Sequence, residues 1–132
     1  MLAVLDASVI VRALIDRGLD ARRWLERVAR REVDAVVPDL VFVEVGQAFA
    51  GYVREGALPR HAALRRLEFV RALPFEVRPL DVLAPAALAI ALERELSVYD
   101  ACYASLAEAE DAVLVTADRR LAGAVDRCEL LP

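Results

Sequence analysis

The chain has 132 residues, a mass of 14.5 kDa, 58% apolar residues and a net charge of −4, enough for a single domain over residues 1–132 with one sizeable core. A membrane span is excluded, because the longest apolar run, Val82 to Leu92, holds Pro85 and stops at Glu93. The N-terminus has neither the basic start nor the small-residue cleavage site of an export signal, so a cytoplasmic protein is expected.

In chain order, Leu2 to Leu5 is a continuous apolar run suited to a central strand buried on both faces. Asp6 ends it, at the N-cap of a helix expected over Ala7 to Asp16 with Val9, Ile10, Ala13 and Leu14 inward and Gly18 as the break. From Asp20 to Arg31 the period is helical: Ala21, Trp24, Leu25, Val28 and Ala29 share one face, while Arg22, Arg23, Arg27, Arg30 and Arg31 cover the other. That stripe can meet phosphates, but a solvated face with Glu26 paired to Arg22 or Arg30 accounts for it more simply. Trp24, among aliphatics, reads as a core anchor. Ala35 to Val37 is a second short strand ending at Pro38, and Asp39 is placed as the cap of a long helix running to about Glu55 before Gly56. Within that helix Glu44 neighbours Leu40, Val41 and Ala48, with Gln47 the only polar residue near it. A carboxylate there needs a cation, or a salt bridge to an Arg, to offset its desolvation.

Pro59 opens the next helix, with Ala63, Leu64, Leu67 and Val70 inward and Pro74 at its end. His61, the only histidine, stands at a helix start without a Ser or Cys nucleophile motif and reads as a surface residue. The helix hairpin carries Phe42, Val45, Phe49, Tyr52 and Phe69, more aromatic surface than one side of a small sheet requires. A partner contact is expected there, with Phe49 and Tyr52 among its exposed members. Phe75 to Arg78 is a third strand, and Asp81 caps a helix with Leu83, Ala87, Ile90 and Ala91 inward. Ser97 and Asp100 form a capping box for another. Ala112 to Thr116 is a fully apolar strand, Asp118 precedes a short helix from Arg119 to Val125, and Cys128 to Leu131 adds an edge strand. Strands alternating with helices in this way predict an α/β fold with a parallel sheet covered on both faces.

Chemistry collects in the acids. Asp6 and Asp118 follow strands, while Glu44 and Asp100 lie in the early turns of helices, so all four can converge on the rim at the carboxyl ends of the strands. Four carboxylates gathered without Arg or Lys between them repel one another unless hard divalent cations neutralise them, which predicts Mg²⁺ or Mn²⁺. Ligation by oxygen alone argues against zinc or copper. Ser8 and Thr116, each two residues from an acid, are placed to hydrogen-bond those carboxylates, a water or a phosphate oxygen. Cys102 and Cys128 stand in no zinc or disulfide pattern and are expected as buried reduced thiols. All 17 basic residues are Arg, a bias that a GC-rich genome and a thermophilic source both produce.

DASVIV from Asp6 to Val11, VEV around Glu44, SVYDACYASLAE around Asp100 and TADRRL around Asp118 resemble the PIN-domain ribonucleases, and particularly the VapC toxins of bacterial and archaeal toxin–antitoxin pairs. Each motif is weak alone; in this order, over the whole chain, they are specific. The resemblance implies a three-layer α/β/α fold around a central parallel sheet of about five strands, a homodimer, Mg²⁺- or Mn²⁺-dependent RNA cleavage and inhibition by a cognate VapB-type antitoxin. It places the acidic site on Asp6, Glu44, Asp100 and Asp118, with polar helpers at Ser8 and Thr116. Asp6, Asp100 and Asp118 are the expected metal ligands, and Glu44 is either a ligand or the base that orients the attacking water. Many relatives carry an acid or polar residue after the last motif, where this chain has Arg119 and Arg120. Those two, with Arg23 and Arg27 of the stripe, are the candidates to hold an RNA backbone. A phospho-acceptor receiver or a haloacid-dehalogenase-like phosphatase would need a Lys, which the chain lacks, and five scattered glycines make no phosphate-cradling loop. The remaining alternative is a PIN scaffold that binds RNA or protein without turnover.

Overall fold

The computed structural model describes residues 1–15 and 17–132; the expected end of the first helix at Asp16 falls outside them. Five strands, β1 (Leu2–Leu5), β2 (Asp34–Pro38), β3 (Phe75–Arg78), β4 (Val113–Thr116) and β5 (Cys128–Leu130), form one all-parallel sheet in the order β3-β2-β1-β4-β5. The helices are α1 (Ala7–Leu14), α2 (Leu19–Ala29), α3 (Leu40–Arg54), α4 (Arg60–Ala72), α5 (Leu80–Arg94), α6 (Val98–Ala109) and α7 (Arg119–Ala122). Burial explains the strand order. The interior strands β1, β2 and β4 are almost wholly apolar and enclosed, whereas the edge strands FEVR and CEL carry charge toward solvent, which discourages further pairing.

Chain direction across the sheet reverses after β3, since the crossover through α5 and α6 returns to place β4 beside β1. Right-handed crossovers then send α1 to α4 to one face and α5 to α7 to the other. The packing agrees: α1 meets α2 and α3, α3 meets α4, and α6 lies against α5, α7 and strands β1, β2 and β4. The result is the expected three-layer α/β/α arrangement. The gap between the carboxyl ends of β1 and β4 is the topological switch point, the place where open α/β sheets hold ligands.

Several local expectations change. Asp39 has helical dihedrals and makes no side-chain cap, and the helix expected to be capped by Asp81 has Pro79 at its N-cap with Asp81 inside the first turn. Leu64, expected inward, is 58% exposed, because Ala62 rather than Leu64 turns into the core. Phe49, expected exposed, is only 2% exposed, while Phe69 is 48% exposed. Trp24 is buried as anticipated, with its indole N–H donating to Glu129 at 3.4 Å. Both cysteines are free thiols, Cys102 buried but Cys128 only half-buried. Among the described residues, no helix is long and apolar enough to cross a membrane.

Candidate active site

Asp6 leaves β1 with its backbone N–H still donating to Val115 of β4 at 3.0 Å, so its position is set by the sheet. It occupies the N-cap position of α1 with extended dihedrals, yet its side chain makes no capping bond. Instead its Oδ2 accepts from Ser8 Oγ at 2.7 Å and from Thr116 Oγ1 at 2.8 Å. Both hydroxyls are fixed from behind: Ala117 N–H donates to Ser8 Oγ and Asp118 N–H to Thr116 Oγ1, each at 3.0 Å. The carboxylate is therefore stitched across the switch point, and the capping explanation for Asp6 fails. Asp6 is 6% exposed and Thr116 fully buried.

The other acids arrive from three helices. Asp118 is the N-cap of α7, its Oδ1 accepting from the backbone of Arg120 at 2.9 Å and Leu121 at 3.3 Å. Asp100 lies in the first turn of α6, where its N–H donates to the Ser97 hydroxyl at 3.0 Å, as the capping box requires. Glu44 projects from α3 and finds a phenol as partner: Tyr103 O–H donates to Glu44 Oε1 at 2.5 Å. Asp6, Glu44, Asp100 and Asp118, with Ser8, line one cleft of about 350 Å³. Thr116 sits directly beneath it, behind Asp6.

The electrostatics follow from this crowding. Burial pushes the Asp6 carboxyl up, more than the Ser8, Thr116 and Ala7 hydrogen bonds pull it down, and the charge of Asp118 adds to the rise. Burial likewise raises Glu44; the Tyr103 hydrogen bond opposes it, and the charges of Asp6 and Asp100 reinforce it. Asp100 is raised by burial and by Asp6 and Asp118, with Ser97 and the Arg120 charge pulling the other way. Burial and the facing Glu44 also push the Tyr103 phenol far up, which keeps it a donor at any physiological pH. Each carboxylate destabilises its neighbours in the ionised form, which is the condition a divalent cation relieves.

The donor set fits a hard cation: every side chain turned to the cleft by an acid offers oxygen. Among the described residues, no three acidic, Cys or His side chains stand as a closed set for a metal. Mg²⁺ keeps several waters and is commonly held through one or two carboxylates, so an open arrangement suits it better than a cage would.

Three residues at the cleft were not expected there, Tyr103 and Arg12 because the sequence reading gave them no role and Tyr52 because it was assigned to the hairpin contact. Tyr103 lies one turn beyond Asp100, so its i+3 spacing could have drawn attention to it; in an apolar run it reads as core. Arg12, one turn beyond Ser8, lines the same cleft, with its guanidinium donating to the Pro132 carbonyl. The acids are therefore not wholly without a basic neighbour. Tyr52 closes the cleft two turns along α3 from Glu44. Of the basic candidates, Arg120 is near enough to act on Asp100, and its Nη2 donates to the Glu95 carbonyl at 2.8 Å. Arg23 pairs with Asp20 at 3.7 Å. Arg27 stacks over Trp24 at 4.7 Å and donates to Met1 Sδ at 3.9 Å, which places it at the amino ends of the strands, on the opposite rim from the acids.

With this geometry in place, comparisons with known proteins converge. The family model described as PIN domain matches residues 3–126. Ribonuclease VapC3 of Pyrobaculum aerophilum is 32% identical over 126 residues, covering 92% of this chain and 93% of the relative. Exonuclease VapC9 of the same organism is 37% identical over 110 residues, covering 79% and 77%. Ribonuclease VapC1 of Mycobacterium tuberculosis is 32% identical over 123 residues, covering 92% and 89%. Among solved structures, PAE2754 from Pyrobaculum aerophilum superposes with a TM-score of 0.74 at 30% identity, covering 98% of this chain and 88% of that one. VapBC2 from Rickettsia felis, bound to a DNA fragment from its promoter, shares the fold with a TM-score of 0.71 at 18% identity and full coverage of both chains.

Proposed function

The chain belongs to the PIN-domain family, in its VapC branch, and from that premise we propose that it is a Mg²⁺- or Mn²⁺-dependent endoribonuclease, the toxin of a VapBC-type pair, acting as a single PIN domain over residues 1–132 in the cytoplasm. The observation that carries this reading is the convergence of Asp6, Glu44, Asp100 and Asp118 on one cleft at the switch point.

Asp6, Asp100 and Asp118 would hold the cation, which when bound supplies a water ionised near neutral pH and offsets charge developing on the phosphoryl oxygens. The chain's own groups do the remainder. Ser8 and Thr116 occupy Asp6 Oδ2 and so fix the carboxylate plane. Tyr103 anchors one oxygen of Glu44. The other oxygen is left to orient the attacking water and take its proton as the water oxygen bonds to phosphorus and the ester P–O bond breaks. Asp118 spends one oxygen on the α7 amides and keeps the other for the cleft.

A homodimer and a VapB-type antitoxin are the proposed protein partners, as the resemblance to the VapC toxins implies. The outward faces of the α3–α4 hairpin support a contact there, since Leu64 and Phe69 are both exposed.

The test is incubation of purified, antitoxin-free protein with linear and circular RNA, with Mg²⁺, with Mn²⁺ and with EDTA. Cleavage of the circle in the presence of metal supports an endonuclease. Cleavage of linear RNA alone would move the chain toward the relative named an exonuclease. Metal-independent binding without products would favour the scaffold alternative, and full metal-dependent cleavage by Asp100→Asn would refute the site assignment.

A further inference from the structure

Two neighbouring residues at the end of α5 are tied to the two ends of α7. The Arg120 guanidinium, from the first turn of α7, donates through Nη2 to the Glu95 carbonyl at 2.8 Å. In return Arg94, the last residue of α5, donates through Nη1 to the carbonyl of Ala124, just past α7, at 3.0 Å. The same guanidinium holds both carboxylate oxygens of Glu108 on α6, at 2.5 and 3.3 Å. The turn between these ties is tight. Glu95 has φ 57° and ψ 43°, a left-handed conformation that a non-glycine residue keeps only where its surroundings impose it. Leu96 is buried and returns its N–H to the Ala91 carbonyl at 3.1 Å. Ser97 then caps α6 through the Asp100 N–H at 3.0 Å, and the Asp100 carboxylate leaves the helix in that first turn. Arg120 also reaches the other acid: its backbone N–H donates to Asp118 Oδ1 at 2.9 Å, beside the Leu121 N–H at 3.3 Å. Helix α7 has only four residues, too few to hold a place by itself, so its position depends on bonds of this kind.

We propose that Arg120 is a positioning residue that fixes the spacing of Asp100 and Asp118, its amide setting one oxygen of Asp118 and its guanidinium holding the turn before Asp100, with Arg94 as the second tie. This rests on the metal-nuclease reading above, in which both acids hold the cation. A chelating pair binds more tightly when its members are already placed, because the cation then need not organise them. An arginine so near the acids also has a contrary effect. Its charge acts on Asp100 in the direction opposite to that of Asp118, and it repels an incoming cation. Placement strengthens metal binding and repulsion weakens it, so the sign of the change on removing the guanidinium separates the two roles.

Mn²⁺ binding to the RNA-free protein, read by electron paramagnetic resonance of the free ion, tests this without relying on turnover. Arg120→Ala keeps the backbone N–H to Asp118 and should raise the Mn²⁺ dissociation constant about tenfold, as when a residue that orients metal ligands is lost. Arg94→Ala should act in the same direction, and Arg120→Lys, which keeps a donor for the Glu95 carbonyl, should recover most of the loss. Arg127→Ala is the control: it removes a comparable exposed bond, to the Asp111 carbonyl at 2.9 Å before β4, and should leave Mn²⁺ affinity unaltered. Equal weakening by Arg127→Ala would reduce the effect to general loosening and overturn the proposal. Tighter Mn²⁺ binding by Arg120→Ala would make Arg120 a counter-charge only, and unchanged Mn²⁺ binding with weaker RNA binding would make it an RNA contact. Either result overturns the proposal and leaves the nuclease standing. A wild type that takes up no Mn²⁺ at millimolar concentration would remove the metal site itself, and the proposal with it.

Discussion

Strand β4 is bracketed by two aspartates that the structure treats in opposite ways. Asp111, just before it, is 91% exposed in its side chain and paired with Arg127 at 2.7 Å, whose guanidinium also reaches the Asp111 carbonyl. Asp118, just after it, caps α7 and faces the like charges of Asp6 and Asp100. One end of the strand neutralises its charge locally, and the other accumulates charge of one sign at a switch point. The difference separates an acid neutralised by a partner within the fold from one that caps a helix while facing like charges. Proteins concentrate such unfavourable arrangements at functional sites.

The sharpest way to break the comparison is to remove one charge at each end. Asp118→Asn keeps an oxygen for the α7 cap but loses the charge, so RNA cleavage should fall about 10²-fold or more with little change in melting temperature. Asp111→Asn should leave cleavage unaltered and cost a few tenths of a kcal/mol, the usual worth of an exposed pair. Equal activity of the two variants would end the distinction. Next in size is Tyr103→Phe, which leaves Glu44 without its donor in a half-buried place. Cleavage should drop roughly tenfold, as when the partner of a functional carboxylate is lost, and chemical denaturation should show a loss of about 1–2 kcal/mol.

Stability against pH gives a third measure. Asp6, Glu44 and Asp100 have carboxyls raised above their ordinary values of 3.8, 4.5 and 3.8, chiefly by burial. The folded chain therefore binds more protons than the unfolded one in the window above those values. Stability of the metal-free protein falls as pH rises through that window and is greatest below it. In EDTA the wild type should melt higher near pH 5 than near pH 7, and Asp6→Asn should reduce that difference. Mn²⁺ should raise the melting temperature more at pH 7 than at pH 5, because it binds the ionised form. A metal effect independent of pH would contradict the carboxylate site. The smallest expected effect lies far from both aspartates: Phe69→Asp should shift a dimer toward monomer in analytical ultracentrifugation while leaving the monomer's melting temperature within about 0.5 kcal/mol of equivalent stability.

What could be read from the amino acids follows the same division. The apolar runs at Leu2–Leu5 and Val113–Thr116 announce buried strands, and the acids that end them announce the rim. Period and punctuation are local, and local signals survive without the fold. The order of the strands does not, since it depends on which way each crossover turns, and only that order brings Ser8 and Thr116 to the same oxygen of Asp6. The helix hairpin shows the other limit. Both Phe49 and Phe69 look alike in an apolar pattern, but α4 has a weakly defined face, and the choice of which ring to bury is made by packing. Tyr103 was hidden for a related reason: an aromatic residue amid alanines looks like filling, and its hydroxyl acquires meaning only when Glu44 arrives from a distant helix.

The hydroxyl pair at Asp6 has a consequence for how the molecule comes into being. Its bonds join residues separated by 110 and 109 positions along the chain, across two strands that lie side by side in the sheet. During synthesis, Asp6 emerges before Thr116, and 110 positions of chain must follow it before Thr116 can reach it. A nascent chain that ends before β4 thus carries Asp6 with the local Ser8 hydroxyl alone, without Thr116 and without Asp118. Late closure of this distant contact delays the assembly of the four-acid cleft until β4 has been made.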